Sequence, residues 1–389
     1  MRDKKILTLL CLTVVMMLSG CCMDFDKATQ PITVKIQVVM PDEYATMDVS
    51  GRTVTLALNG KTIAATTDDE GIVTFKDIVP DNYDISVAWK EASYTISGGM
   101  TSQLLAVSND VPIVLNVSVQ KESSWLISKV YYEGSKDSNN KNYMAGKYIE
   151  IFNNSSEPLD AAGLYIALME TESTIAYTPG QVEEVVYAKQ VFRVPTTEAK
   201  VVQPGETLLL VNSAIDHTKT AMNAYERNLL DADYEAKDKQ GKTTNNPDTP
   251  ALELIYSCYP TISQMNIVQG GPTSMVIFST NEDVSQWERV YAYGKTKGNM
   301  FMKIPLAVVT DGVEILKNRA QTGPDVNTKR LFDAIDAGYT YCSSVNGYSG
   351  ETVYRKTAQV TADGRRVLQD TNNSLNDFQT STTIKPREY

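Results

Sequence analysis

The sequence predicts an all-β protein with two β-sandwich domains and minor helical insertions in the second. Three observations carry this. From Ile32 onward, apolar and polar residues alternate with a period of two, the pattern of half-buried strands. Gly, Pro, Asn and Asp punctuate these runs at short intervals, as turns between antiparallel strands do. At 389 residues, 42% of them hydrophobic, the chain is long enough for two or three buried cores.

Residues 31–120 form the first domain. Strands are expected at Thr33–Val39, Thr53–Leu58, Ile72–Phe75, Tyr83–Trp89 and Val111–Val119. Within this stretch a strand from Val54 meets an Asn59-Gly60 turn. A second strand then runs into an Asp68-Asp69-Glu70-Gly71 hairpin, where Gly71 suits a position needing positive φ. Pro80 and Asn82 start the next turn, and Tyr83, Ile85 and Val87 share one face of the strand that follows. These residues resemble the small prealbumin-like sandwiches of carboxypeptidase regulatory domains and collagen-adhesin B-type repeats. Such modules are mostly spacers or stalks, and the resemblance implies that role here.

The chain leaves this module near Glu122-Ser123-Ser124, and residues 121–389 form the second domain. Strands are expected at Trp125–Tyr132, Tyr148–Phe152, Leu164–Leu168 and Val202–Val211. Two helices are expected: Thr220–Ala236, with Ala221, Tyr225 and Leu229 on one face, and Asn327–Ala337, with Leu331 and Ile335 on one face and Gly338 as the stop. The segments EIFNNSSEPLD (150–160), QPGETLLLVN (203–212) and DTNNSLNDF (370–378) resemble, in this order, the lamin-tail β-sandwich. Residues 170–200 and 216–250 depart from that pattern as insertions.

The N-terminus sets the location. Arg2, Lys4 and Lys5 precede an apolar run from Ile6 to Leu18, and Ser19-Gly20-Cys21 follows. The run is too short for a stable membrane span, and its layout is that of an export signal with a small-residue cleavage site. Leu18-Ser19-Gly20-Cys21 resembles a bacterial lipobox. This implies cleavage after residue 20, lipidation of Cys21 and a short polar tether over residues 21–30. The whole layout resembles a Bacteroidetes outer-membrane lipoprotein family. That resemblance implies an outer-membrane, lipid-anchored protein, with exposure on the cell surface as one option, and brings no reaction with it.

Composition narrows the partners. The formal charge is −11, and removal of residues 1–20 takes away three basic side chains and one acidic one, leaving 33 against 46. Such a body repels phosphate backbones, which argues against nucleic acid. After export and lipidation Cys22, Cys258 and Cys342 remain. Cys258 and Cys342 either pair outside the cytoplasm or are separate small buried residues.

Little catalytic chemistry is available. His217 is the only histidine and sits in the polar context Asp216-His217-Thr218-Lys219, which reads as an exposed loop. No G-x-S-x-G elbow, phosphate loop, dinucleotide fingerprint or C-x-x-C is present, and a two-histidine zinc site is impossible. The Asp68-Asp69-Glu70 run reads as turn and solvation. Asp370–Asp377 invites calcium, yet in an EF-hand register Leu375 and Ser381 stand where Gly and Glu belong. Asn and Asp side chains bonding their own backbone explain that segment. Of 21 tyrosines, Tyr256, Tyr259, Tyr291, Tyr293, Tyr339, Tyr341 and Tyr348 fall in the second half, where they suit either packing or ligand contact.

The reading is a membrane-anchored, non-enzymatic binding lipoprotein without metal or cofactor. It serves nutrient capture or docks on an outer-membrane transporter. The alternatives are a structural or adhesive surface protein and a glycan hydrolase built on two carboxylates.

Overall fold

The computed structural model of the chain describes residues 30–91, 94–121, 124–173 and 184–389. Cys21 and the export segment lie outside the described residues. The fold is all-β, as the alternation predicts, and the chain divides into two compact units at Glu122/Ser123. No helix among the described residues is long and apolar enough to cross a membrane.

In the first unit, a three-stranded sheet faces a five-stranded one. The smaller sheet places Ile32–Val39 between Ile72–Ile78 and Ile113–Asn116. The larger runs Lys61–Thr66, Thr53–Leu58, Asp81–Glu91, Tyr94–Leu105, Ser118–Lys121. Alternate side chains such as Val34, Ile36, Val54, Leu56, Phe75, Ile85 and Val87 fill the core between them. Asn59 and Gly60 both take positive φ, as a tight two-residue hairpin requires. Gly71 has φ +73, and a Cβ there would lie 2.9 Å from the Val38 carbonyl oxygen. The Asp68 carboxylate accepts from the Glu70 and Ile72 N–H groups, so this acidic run is a turn.

The chain enters this unit at one end and leaves at the other. Ile32 pairs with Ile78 and Asp81 with Leu105, which defines the entry end. Lys121 pairs with Tyr94, at the far end of the Tyr94–Leu105 strand.

The second unit packs two larger sheets around one core. One sheet runs Tyr234–Glu235, Thr207–Val211, Tyr148–Asn153, Trp125–Tyr131, Thr352–Arg355, Phe378–Ser381. The other runs Arg289–Tyr291, Met300–Pro305, Val185–Arg193, Tyr165–Met169, Met275–Phe278, Val309–Val313, with Glu253–Ser257 also paired to Val185–Arg193. Ile127, Ile149, Ile151, Ile166, Leu168, Phe192, Leu208 and Ile277 meet between them.

Three expectations are corrected here. Thr220–Ala236 is not a helix. A short helix, His217–Ala221, stops at Met222, which takes φ +51. The Asn223 side chain then accepts from the Tyr225 and Glu226 N–H groups, and the Asn228 side chain accepts from Leu230, drawing the backbone into turns. Asn327–Ala337 is not a helix either. Only Val326–Thr328 is helical, as one 3-10 turn. The Glu314 carboxylate takes the Arg330 and Leu331 N–H groups, which removes donors a helix would use. Finally, residues 170–200 are not simply an insertion, because Val185–Arg193 is an interior strand of its sheet.

Candidate functional site

The lone histidine is buried, not exposed. Asp216 caps the short helix by accepting from the Thr218 N–H, and this turns His217 inward. One ring nitrogen, Nε2, lies 2.8 Å from the Ser213 carbonyl oxygen and must donate to it. Nδ1 therefore accepts from the Tyr143 hydroxyl at 2.6 Å. Burial lowers the imidazole pKa, in keeping with the neutral ring this pairing needs. His217 thus acts on Tyr143 from behind, and Tyr143 faces a cleft.

That cleft, of about 440 Å³, is lined by residues 142–145, Lys147, Asn212, the 242–243 loop, Ile262, residues 264–267 and Gln269. Its geometry follows from amide pairings. The Asn212 side chain accepts from the Met265 N–H at 2.9 Å and donates to the Met265 carbonyl at 3.0 Å. This locks residues 264–267 beside the end of the Thr207–Val211 strand. Gln264 Nε2 donates to the Asn212 carbonyl and the Thr243 hydroxyl at 2.6 and 2.7 Å. Lys147 Nζ donates to the Ile267 carbonyl at 2.7 Å, with Gln269 Oε1 at 3.4 Å. Burial lowers the Lys147 pKa to about 8, against the attraction of Glu133.

Chemically the lining is one-sided. Met144, Ile262, Met265 and Ile267 supply apolar wall, and Tyr143 an aromatic with a polar tip. Asn142, Asn212, Gln264, Asn266 and Gln269 supply amides, Lys147 and Lys242 cations, and no lining residue is a carboxylate. The arrangement offers hydrogen bonds and positive charge to an oxygen-rich ligand. It holds no carboxylate pair to act as general acid and base.

Behind the wall sits Glu226. Its Oε1 accepts from the Tyr131 hydroxyl at 2.8 Å and the Ser135 hydroxyl at 2.6 Å. Burial raises its pKa. A Cβ on Gly146 would stand 2.0 Å from Glu226 Oε2, so the loop carrying Tyr143 and Lys147 seats here only through a glycine.

The other residues singled out from sequence lie elsewhere. Asp377 is buried. Its oxygens accept from the Thr371 and Asn373 N–H groups and the Thr371 hydroxyl, which is the local bonding expected of this segment. Among the described residues no group of three or more His, Cys, Asp or Glu side chains is placed to hold a metal. Cys258 and Cys342 are free thiols. Cys342 sits in the core between the sheets, whereas Cys258 packs at the edge of a second cluster, on the other face of the Val185–Arg193 sheet. Tyr339 and Tyr341 flank a smaller cleft of about 350 Å³ with Leu375 and Phe378. Tyr256 and Tyr293 pack against the outer cluster.

The cleft residues were not visible as a set in the sequence. Lys147 and Gln264–Gln269 lie more than a hundred residues apart, and only the strand register brings them together. The one local signal is the amide-rich run Gln264-Met265-Asn266-Ile267-Val268-Gln269 ahead of Gly270-Gly271-Pro272.

Residues 203–385 match the family described as "Protein of unknown function (DUF4876)". No curated protein matches the chain. A crystal structure of a DUF4876 family protein from Bacteroides thetaiotaomicron VPI-5482 is similar in fold. It is 21% identical, with a TM-score of 0.58 over 90% of this chain and 95% of that one. A DUF3823 family protein from Bacteroides ovatus ATCC 8483 is 13% identical over 46% of this chain and 98% of its own, at a TM-score of 0.16.

Proposed function

We propose that this protein is a lipid-anchored outer-membrane binding protein that captures an oxygen-rich glycan in the Lys147 cleft and does not transform it. Cys21 carries the lipid, and the first unit is the spacer. The observation that carries the binding reading is the lining of the cleft: five amides, two lysines and an apolar wall, with no carboxylate. Amides and lysines match sugar hydroxyls and carboxylates, and the apolar wall matches the C–H face of a sugar ring. Nutrient capture, or hand-over to an outer-membrane transporter, is the role such a site fits.

The test uses the unacylated chain, residues 22–389, on glycan and peptide arrays followed by calorimetry. Lys147→Met and Asn266→Ala should each weaken glycan binding at least about tenfold, about 1.4 kcal/mol. Unchanged affinity in both would move the site elsewhere, and new reducing ends would favour a hydrolase. Separately, Cys21→Ala should leave the protein unprocessed or release it from membranes.

A structural or adhesive role is the second reading. It draws on the opposite entry and exit ends of the first unit, which suit a spacer.

A further inference from the structure

The entry end of the first unit carries a group of exposed apolar side chains. Val79 is 53% exposed, Leu104 58%, Val107 72% and Val111 82%. Strand pairing places them at one end. Val79 follows Ile78, the partner of Ile32, and Leu104 pairs with Asn82. Val107 and Val111 lie on the loop that follows Leu105.

This loop is pinned. The Thr33 N–H donates to the Ser108 hydroxyl at 3.0 Å, and the Asn109 N–H donates to the Thr33 carbonyl at 3.3 Å. The Asn109 side chain accepts from the Lys35 N–H at 2.8 Å and donates to the Lys35 and Val111 carbonyls. Ser108 and Asn109 are thus tied to the first strand, and the two valines stay exposed. An apolar group held outward marks a contact surface.

What covers it follows from where the chain enters. The first strand starts at Ile32, at this same end, and the chain from Cys21 to Ile32 reaches at most about 40 Å. We propose that this end is a membrane-contacting tip, with Val79, Leu104, Val107 and Val111 seated at the headgroup boundary of the bilayer that holds the Cys21 lipid. The orientation part of the proposal rests on the anchoring reading above; the affinity of the tip for a bilayer does not. Asp81 and Asp110 flank the valines, so burial of apolar surface, rather than attraction to anionic headgroups, drives the contact. Its effect is to orient the first unit, directing the exit end at Lys121 away from the bilayer.

The test separates tip from anchor. The unacylated chain, residues 22–389, is floated with neutral phosphatidylcholine–phosphatidylethanolamine vesicles at millimolar lipid. The partition constant obtained from flotation should fall at least about tenfold in the Val107→Asp/Val111→Asp variant, about 1.4 kcal/mol. Both valines are exposed, so the fold should tolerate the change, and an unchanged melt of the first unit verifies this. Equal flotation of the two proteins, or no flotation of either, overturns the tip. Self-association lost on the same substitution, without vesicle binding, also overturns it and assigns the surface to a second copy. Loss of lipidation at Cys21 would defeat the anchoring reading alone, since flotation of the unacylated chain does not depend on it.

Discussion

Arg355 and Asp311 form a buried ion pair that ties the two sheets of the second unit together. Arg355 Nη2 lies 2.7 Å from Asp311 Oδ1, and both side chains are 2% exposed. The first belongs to the strand Thr352–Arg355, the second to Val309–Val313, in the opposite sheet. Asp311 Oδ2 also accepts from the Ile127 N–H at 2.6 Å, and Arg355 Nε donates to the Ile127 carbonyl at 2.9 Å. One backbone residue is thereby held from both sides.

Removing one member leaves the other charged and buried, which typically costs about 3–5 kcal/mol. Arg355→Met should therefore destabilise the second unit by that order, read as a shift of its calorimetric transition. The double variant Arg355→Met/Asp311→Leu should recover only part of the loss, because Asp370 and the buried Asp377 also lose their guanidinium partner. A single-variant loss below about 1 kcal/mol would mean that Asp311 takes up a proton in place of its lost partner, as its burial favours.

Gly146 should not tolerate alanine. Its added methyl would meet the Glu226 carboxylate, which Tyr131 and Ser135 hold in place. Overpacking of a filled interior costs about 1–3 kcal/mol. Gly146→Ala should lower the melting temperature of the second unit and weaken ligand capture, because Tyr143 and Lys147 flank this position. An unshifted melt would show that Glu226 swings aside.

These two cases show where the sequence is legible. In the first unit one face of each sheet is core and the other is open, so alternation survives and Thr53–Leu58 is read as it stands. Tyr94–Leu105 escapes, because Gly98 and Gly99 interrupt the pattern. A Cβ at Gly98 would lie 2.7 Å from the Asn116 carbonyl oxygen, so close backbone approach, not propensity, sets that residue. In the second unit both sheet faces are covered. Trp125–Tyr131 and Tyr148–Asn153 are buried at every position, including Lys129 and Glu150, whose charges pair at 2.6 Å. A strand with buried polar residues looks like a loop in sequence, and Val185–Arg193 was missed for this reason. The cleft is less legible still, since its amides answer to register and not to any local pattern.

The pH response of the second unit follows from Glu314. This side chain is fully buried and accepts from the Ser274 hydroxyl and from the Arg330 and Leu331 N–H groups. Burial raises its pKa to about 7, above the value of an exposed glutamate. A raised carboxyl favours the protonated fold. Its contribution is complete below about pH 4.5 and is lost as pH rises through about 7. The share is on the order of 3 kcal/mol. Glu314→Gln keeps the shape and an acceptor for the two N–H groups. It should flatten the decline in stability between pH 4.5 and 7, measured by denaturant unfolding. Asp311, also raised to about 7 by burial, leaves a residual slope of the same sign. An identical slope in the variant would show that Glu314 is ionised in the fold throughout.

Asp377 gathers the Asp370–Asp377 segment around its carboxylate. Its Oδ2 accepts from the Thr371 N–H at 2.8 Å and the Asn373 N–H at 3.3 Å, and its Oδ1 from the Thr371 hydroxyl at 2.9 Å and Gln369 Nε2 at 3.1 Å. Arg355 Nη1 stands 3.4 Å from Oδ2 and 3.3 Å from Asp370 Oδ1. A calcium ion would have to displace both the backbone donors and the guanidinium. Asp377→Ala should therefore lower second-unit stability by roughly 3 kcal/mol, as loss of a buried charge partner does. Millimolar calcium should neither restore it nor shift the unmodified protein relative to chelator. A bound ion at a hundredfold excess over its dissociation constant would add about 2.7 kcal/mol. A calcium-dependent gain of that size, absent in Asp370→Ala, would turn this segment from a self-bonded turn into a metal site.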